Sequence, residues 1–567
     1  MRDTRSSRTA RRTRLLLAVL TVGVLLTGCA GIPREGGVQA GQGEIIDESP
    51  AQVFLPSRPQ KDASIQAILV GFIDAASSPE SNYAIAREFL TSGFAAAWDP
   101  TAGVTVDDGI GRVLTDVDAQ TIRVSVTPVA EVSATGEYRE GDSTPVALNY
   151  EFVQVEGQWR ISAAPNGTVI DETTFNDVFS ASSLYFFNPS FKTLVPDLRW
   201  FPRGASAPTK IVNAVLNGPS SWLLGAVVTA FPEGTTLTAD AVQVVGRNAM
   251  VDLNSEALNA DRITLERMKA QLAASLPAGM RVEITIDRNS QNIQDLASPE
   301  VAVNPRVDAR ALVLRNGEFG FLAASGQSLT PVAGLSTGLE ALSPTAITLG
   351  AGQRSAAALS AGGVYLVRAN DAPLLLDDRS RLIAPSIDSD GFVWSVPADR
   401  PNAVLVFGTS TEGTAVQTPW LEATEIQSLK VSRDGSRLVV VYTIGSESRM
   451  AVAGIIRTDG TPVGLTPPLQ LASDIGTPLD VAWIDELTVA SLSTVANGTK
   501  AIVAREIGGV STTLESPPGG AVLAGSNSVR DLRALTTDGV LQVQRGVGWQ
   551  NRLDGVSVLV TQQGING

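Results

Sequence analysis

Asp434-Gly435-Ser436-Arg437-Leu438-Val439-Val440-Val441-Tyr442 decides the fold of the C-terminal half, because a tight-turn signal runs straight into a β-branched apolar strand. The same arrangement recurs at Asp390-Gly391 before Phe392–Val396 and at Asp538-Gly539 before Val540–Gln544, at intervals of 44 and 104 residues. A degenerate copy, Ile484-Asp485 before Leu487–Ala490, divides the longer interval into two of about 50. A period of roughly 45 residues with about four short strands per unit predicts a β-propeller. Over residues 306–567 this gives five or six blades, with Val556–Val560 as the strand that closes the ring; a pair of β-sandwiches is the alternative.

Composition narrows the chemistry. The 567 residues include no histidine and one cysteine, which excludes Ser-His-Asp and Cys-His nucleophile systems, His-ligated zinc and intrachain disulfides. None of the six lysines has a serine three residues before it or follows a glycine, so the serine–lysine and P-loop motifs are absent. Gly350-Ala351-Gly352-Gln353-Arg354-Ser355 lacks the third glycine of a dinucleotide fingerprint. Carboxylate chemistry survives, and Asp107-Asp108, Asp377-Asp378 and Asp388 with Asp390 are local acid pairs. Loop aspartates ordinarily cap turns, and Asp388-Ser389-Asp390-Gly391 is too short for a calcium loop. The sequence assigns no catalytic residue, metal ligand or cofactor.

Residues 1–28 carry six arginines, one acid and an apolar run from Leu15 to Leu26, the layout of a secretory signal. The run is about a dozen residues, short of the roughly 20 that a spanning helix needs. Leu26-Thr27-Gly28-Cys29 resembles the bacterial lipobox, with Leu26, Thr27 and Gly28 recognised by the signal peptidase and the Cys29 thiol acylated. A twin-arginine signal at Arg11-Arg12 is the weaker reading because most of the flanking pattern is missing. Without residues 1–28 the balance is 37 basic to 57 acidic, net −20, which argues against general nucleic-acid binding. The expected location is the extracytoplasmic face of the cell membrane, held by a lipid anchor.

Residues 29–50 are Gly-rich and aperiodic, a flexible tether with a reach of roughly 25 Å. A first α+β domain is expected over 51–165. Ile65, Ile68, Leu69, Phe72, Ile73 and Ala76 form one helical stripe, and a second helix runs from Ser81 to about Asp99-Pro100. Ile122, Val124 and Val126 then alternate, as do Leu148, Tyr150 and Phe152, and a Glu156-Gly157-Gln158 turn precedes Trp159 and Ile161. Residues 166–205 are taken as a linker. A second α+β unit over 206–295 has a helix closed by Gly218-Pro219, a hairpin about Gly246-Arg247-Asn248, a helix with Leu265, Met268, Leu272 and Leu276, and a strand with Val282, Ile284 and Ile286.

Helices followed by a curled antiparallel sheet resemble the cystatin-like cone fold. Ala214–Pro219, Pro232–Thr235, Ala249–Asn254 and Gln271–Leu276 resemble, in order, the blocks of a GerMN domain, a binding rather than catalytic unit. Lipobox, cone, GerMN unit and propeller, with Leu194-Val195-Pro196-Asp197 leading into the GerMN unit, closely resemble the actinobacterial LpqB lipoprotein family. The resemblance implies an accessory protein of the MtrA–MtrB two-component system that contacts the extracellular domain of the sensor kinase MtrB and influences cell-wall homeostasis and division. The competing function is that of an envelope glycan binder or carboxylate-based glycan hydrolase. For that role Trp394, Trp420, Trp483 and Trp549 are the candidate sugar-stacking residues.

Overall fold

A computed structural model describes residues 56–141, 144–296, 301–324, 326–473, 475–496 and 498–564. All of them fall within one compact unit, Pro50–Gly567. Among the described residues no helix is long and apolar enough to cross a membrane.

The N-terminal domain opens with α1 (Ile65–Ala76), whose Ser64 cap accepts from the Ala67 amide. The expected stripe faces inward, with Ile68, Leu69, Phe72, Ile73 and Ala76 buried. The second expected helix is split into α2 (Ala84–Arg87) and α3 (Ser92–Ala97). Between them Leu90 bridges to Ile161, and Thr91 recaps the chain by accepting from the Phe94 amide. Eight strands follow: β1 (Gly103–Asp107), β2 (Val113–Asp118), β3 (Thr121–Val126), β4 (Pro128–Ser133), β5 (Tyr138–Glu140), β6 (Val146–Val155), β7 (Gln158–Ala163) and β8 (Thr168–Asp171). They form two sheets, β2-β3-β6-β7 and β5-β4-β1-β8. A single residue separates β3 from β4, and the register slips opposite Pro128, which lacks the amide the ladder would use. The chain therefore bends from one sheet into the other and curls around α1. One pairing departs from the expected antiparallel sheet, since β8 runs parallel to β1. It approaches so closely that a Cβ on Gly167 would sit 2.6 Å from the Gly103 carbonyl oxygen.

Residues 166–205 are not a linker. They form β8, then α4 (Glu172–Val178), then a long hairpin of β9 (Phe179–Phe187) and β10 (Thr193–Pro202), paired from Phe187↔Leu194 to Phe179↔Pro202. All ten residues of β10 are buried. The hairpin is the floor of the next domain. Above it lie α5 (Ala207–Asn217), ended by Gly218 at φ 95°, and α6 (Arg262–Ser275), capped by Asp261. Beside them is a small sheet of β11 (Gln243–Val245), β12 (Asn248–Leu253), β13 (Arg281–Ile286) and β14 (Asn289–Ser290), in which β12 and β13 are parallel. β15 (Ala302–Val303) then joins β10 at Thr193 and Leu194.

The C-terminal half contains, among the described residues, six sheets, antiparallel throughout except where Thr561–Gln562 runs parallel to Ala346–Leu349. In sequence from the innermost strand outward, blade 2 spans 346–377, blade 3 386–415, blade 4 425–465, blade 5 477–514 and blade 6 520–553. Blade 1 combines Leu312–Arg315, Glu318–Leu322 and Leu329–Pro331 with Val556–Leu559 as its innermost strand. Innermost strands touch in the cyclic order of the blades, and the strand at 556–559 contacts both blade 2 and blade 6. This is a closed six-bladed ring, sealed by the expected C-terminal strand. The repeat differs in phase at one point. Asp390, Asp434 and Asp485 lie in the turn after the first strand of blades 3, 4 and 5, whereas Asp538-Gly539 lies after the second strand of blade 6.

Candidate functional site

Leu26, Thr27, Gly28 and Cys29 lie outside the described residues. Each acid pair has at least one member engaged in holding a loop. Asp107, 1% exposed, takes a two-pronged grip from Arg112 at 2.6 and 2.9 Å, and Asp108 accepts from the Ile110 and Gly111 amides. Asp377 is held by Arg379 at 2.7 Å and by the Ser395 hydroxyl at 2.6 Å. Asp388 accepts from the Phe392 amide and from Arg457 at 2.6 Å, and the same guanidinium reaches Asp390 at 3.5 Å. Charge-assisted bonds of this kind use the carboxylate lone pairs that acid–base chemistry would need. Among the described residues no three Asp, Glu or Cys side chains group as metal ligands would.

Three of the four tryptophans expected to stack on sugars are blade-core residues. Trp394, Trp420 and Trp483 are buried, the last two donating to the carbonyls of Pro401 and Lys430. Trp549 is half-buried and donates to the Glu515 carbonyl. A large apolar ring with one donor is satisfied inside a blade once that donor finds a carbonyl.

The arrangement the sequence missed is where the three domains meet, and it is built on β10. Asp197 and Arg199, each 2% exposed, pair at 2.8 Å. The Asp197 carboxylate also accepts from the Ser220 amide at 2.8 Å and hydroxyl at 2.7 Å, fixing the loop that follows α5. Arg199 donates onward to the Thr135 carbonyl of the N-terminal domain at 2.8 Å. Trp200 ties both flanks, its backbone amide donating to Gly136 and its indole N–H to Gly508 of blade 5 at 2.9 Å. On the propeller side Arg437, wholly buried, grips Asp434 at 2.6 Å and donates to the carbonyls of Glu486 and Pro196. The Tyr185 hydroxyl donates to Glu486 at 2.9 Å. Burial pushes the Glu486 carboxyl above its ordinary range, although Tyr185 and Arg437 pull the other way.

Apolar packing is continuous across the same boundary. Val439, Val441, Met450 and Val452 of blade 4 and Val481 and Val489 of blade 5 share one buried cluster with Leu184, Phe186, Val195 and the helices above them. Each fully buried side chain of this size contributes about 1.5–3 kcal/mol. Clefts remain at the boundary. One of about 350 Å³ lies between the first two domains and is lined by Tyr83, Phe179, Trp200 and Lys210, whose ammonium is held below its ordinary pKa by desolvation. One of about 570 Å³ borders Tyr138, Trp222, Leu469 and Arg505, and a third of about 420 Å³ lies within the curled sheet beside Phe72 and Tyr150.

Signals for the hairpin exist in the sequence. Leu184-Tyr185-Phe186-Phe187 and Leu194-Val195 flank the turn residues Asn188-Pro189-Ser190. Pro196 and Pro202 argue against a central strand, but β15 pairs only with Thr193 and Leu194, so Pro196 sits where no neighbour needs its amide.

Fold and junction together define a multidomain, propeller-bearing protein. Family models match all three parts: the N-terminal domain of lipoprotein LpqB at residues 58–176, the sporulation and spore germination domain at 183–291, and the LpqB β-propeller domain at 320–559. Lipoprotein LpqB of Cutibacterium acnes is 26% identical over 96% of this chain and 93% of its own length. That of Mycolicibacterium smegmatis is 28% identical over 82% and 85%. Among solved structures, TolB from Acinetobacter baumannii matches 41% of this chain and 59% of its own at 14% identity, with a TM-score of 0.31. The chain belongs to the LpqB lipoprotein family.

Proposed function

We infer that the protein is a lipid-anchored accessory component at the outer face of the cytoplasmic membrane that binds the extracellular domain of a two-component sensor kinase, and does so without catalysis. The kinase expected from the family resemblance is MtrB, with cell-wall homeostasis and division as the processes affected. The observation that carries the reading is the β9–β10 hairpin. It is bonded to the cone at Thr135 and Gly136 and to the propeller at Gly508, and shares one apolar cluster with the GerMN unit and the propeller, so a partner held by any domain is held by a stiff body. The arginine-clamped acid pairs also support binding over hydrolysis.

Acyl chains on Cys29 confine the body to the plane in which a sensor kinase resides and raise its effective concentration there. Signal then requires that one kinase conformation be bound more tightly than another. Cys29→Ala releases folded protein from the membrane and changes kinase output, measured by cell fractionation and response-regulator phosphorylation. Unchanged output on release would sink the reading. Crosslinkers placed in each domain of the protein in intact cells capture the kinase; capture of glycan alone would favour envelope-polymer binding.

A further inference from the structure

The chain holds 58 acidic and 43 basic residues, yet five arginines converge on one cleft of about 230 Å³ between blades 6 and 1. Strand ends supply them. Arg533 opens the second strand of blade 6, Arg545 ends its third, and Arg530 lies in the turn just before. Arg310 precedes the second strand of blade 1, and the Arg552 guanidinium occupies the space that a side chain at Gly326 would need. In a meander of four strands, the turns after the first and third emerge on one rim, so these groups share a side of the ring with Asp434, Glu486 and Gly508, which meet the hairpin.

Little negative charge answers them locally. Asp308 is bound by Arg310 at 2.6 Å, and Asp531, the one carboxylate lining the cleft, accepts from the Ser528 hydroxyl at 2.9 Å. Arg533 is 7% exposed and fixed by donation to the Ala309 carbonyl, and burial lowers its pKa. A second observation concerns hydrogen bonding. Gln544, 8% exposed, lines the same cleft with its Oε1 buried and unpartnered. A buried acceptor without a donor is costly unless a ligand or water supplies one.

We propose that this cleft binds the phosphate group of a polyol phosphate ester, with arginine forks on the phosphate oxygens and Gln544 accepting from a polyol hydroxyl. Guanidinium is planar and always charged, and forks converging from several directions match the tetrahedrally arranged oxygens of a phosphate ester better than the coplanar pair of a carboxylate. The volume admits one phosphate with a short polyol and excludes a folded partner segment. Free polyol phosphates and glycerophospholipid headgroups share this chemistry.

The test titrates the purified full chain in detergent with inorganic phosphate, glycerol 3-phosphate and glycerophosphoglycerol, read by calorimetry. Saturable, salt-sensitive binding of one of the two esters is expected, tighter than that of inorganic phosphate. Preference for glycerol 3-phosphate assigns a free monoester, and preference for glycerophosphoglycerol assigns a lipid headgroup. The triple variant Arg530→Gln, Arg545→Gln, Arg552→Gln weakens binding about tenfold or more. A control triple at the exposed Arg281, Arg288 and Arg400 leaves it unchanged. Absence of binding by either ester, inorganic phosphate binding as tightly as the esters, or equal weakening in the two triples would overturn the proposal.

Discussion

Strands β2 and β10 invert the usual relation between composition and burial. Val113-Leu114-Thr115-Asp116-Val117-Asp118 has three apolar residues, and all six positions are exposed. β10 contains Thr193, Asp197 and Arg199, and all ten of its positions are buried. What separates them is neighbourhood. β2 is the edge of its sheet, with β3 on one side only, whereas β10 lies against β9 and is covered by parts of all three domains. A charged pair survives in such a place only if its remaining hydrogen-bonding capacity is met, and Ser220 and Thr135 meet it. Polar groups inside β10 are thus the joints between domains, and apolar groups along β2 are surface.

Breaking the joint gives the largest expected effect. Asp197→Ala leaves the Arg199 guanidinium buried without its carboxylate, which costs about 3–5 kcal/mol and lowers the midpoint of thermal unfolding accordingly. Trp200→Phe keeps an aromatic ring but removes the bond to Gly508 and trims the buried indole, a smaller loss of about 1–3 kcal/mol, visible as faster protease cleavage between domains.

Glu486→Gln tests the electrostatics of the same boundary. Because burial raises the folded-state pKa of Glu486, the folded protein holds this proton to higher pH than the unfolded chain, and stability is lost as pH rises through the folded value. The amide still accepts from Tyr185, so the variant melts higher than the parent at neutral pH. That gain closes as pH falls below the ordinary carboxylate range, as melts at a series of pH values will record. The smallest effect is expected on the other strand, where Val113→Thr or Val117→Thr moves stability by no more than about 0.5 kcal/mol. A loss above 2 kcal/mol there would show that β2 is packed, and the contrast between the strands would fail.

Much of the fold is legible wherever a residue's role depends on its near neighbours. The α1 stripe, the Gly218 stop, the Glu156-Gly157 turn and the alternation of Ile122, Val124 and Val126 each follow from local periodicity or backbone preference. The closing strand at Val556 is legible because a propeller must hide its last edge. The hairpin at 179–202 was not, because its prolines and charges are tolerated only through partners distant in sequence, such as Thr135, Glu486 and Gly508. The four propeller tryptophans show the same limit, since a stacking ring and a core ring are the same residue until its burial and the acceptor of its N–H are known. Asp538-Gly539 shows that an identical dipeptide can serve a different turn of the repeat.

Blade 1 has a kinetic meaning beyond architecture. Its innermost strand, 556–559, pairs with 312–315, so the ring cannot close until the chain between them has been delivered and loosely gathered. Such a contact is among the slowest a domain can make, because a long loop loses its freedom before any pairing rewards it. Until then the inner edge of blade 1 is open to other strands. The time between release of residue 315 and arrival of residue 556 is when the protein is most exposed to misassembly, and deleting Val556–Leu559 would make that interval permanent.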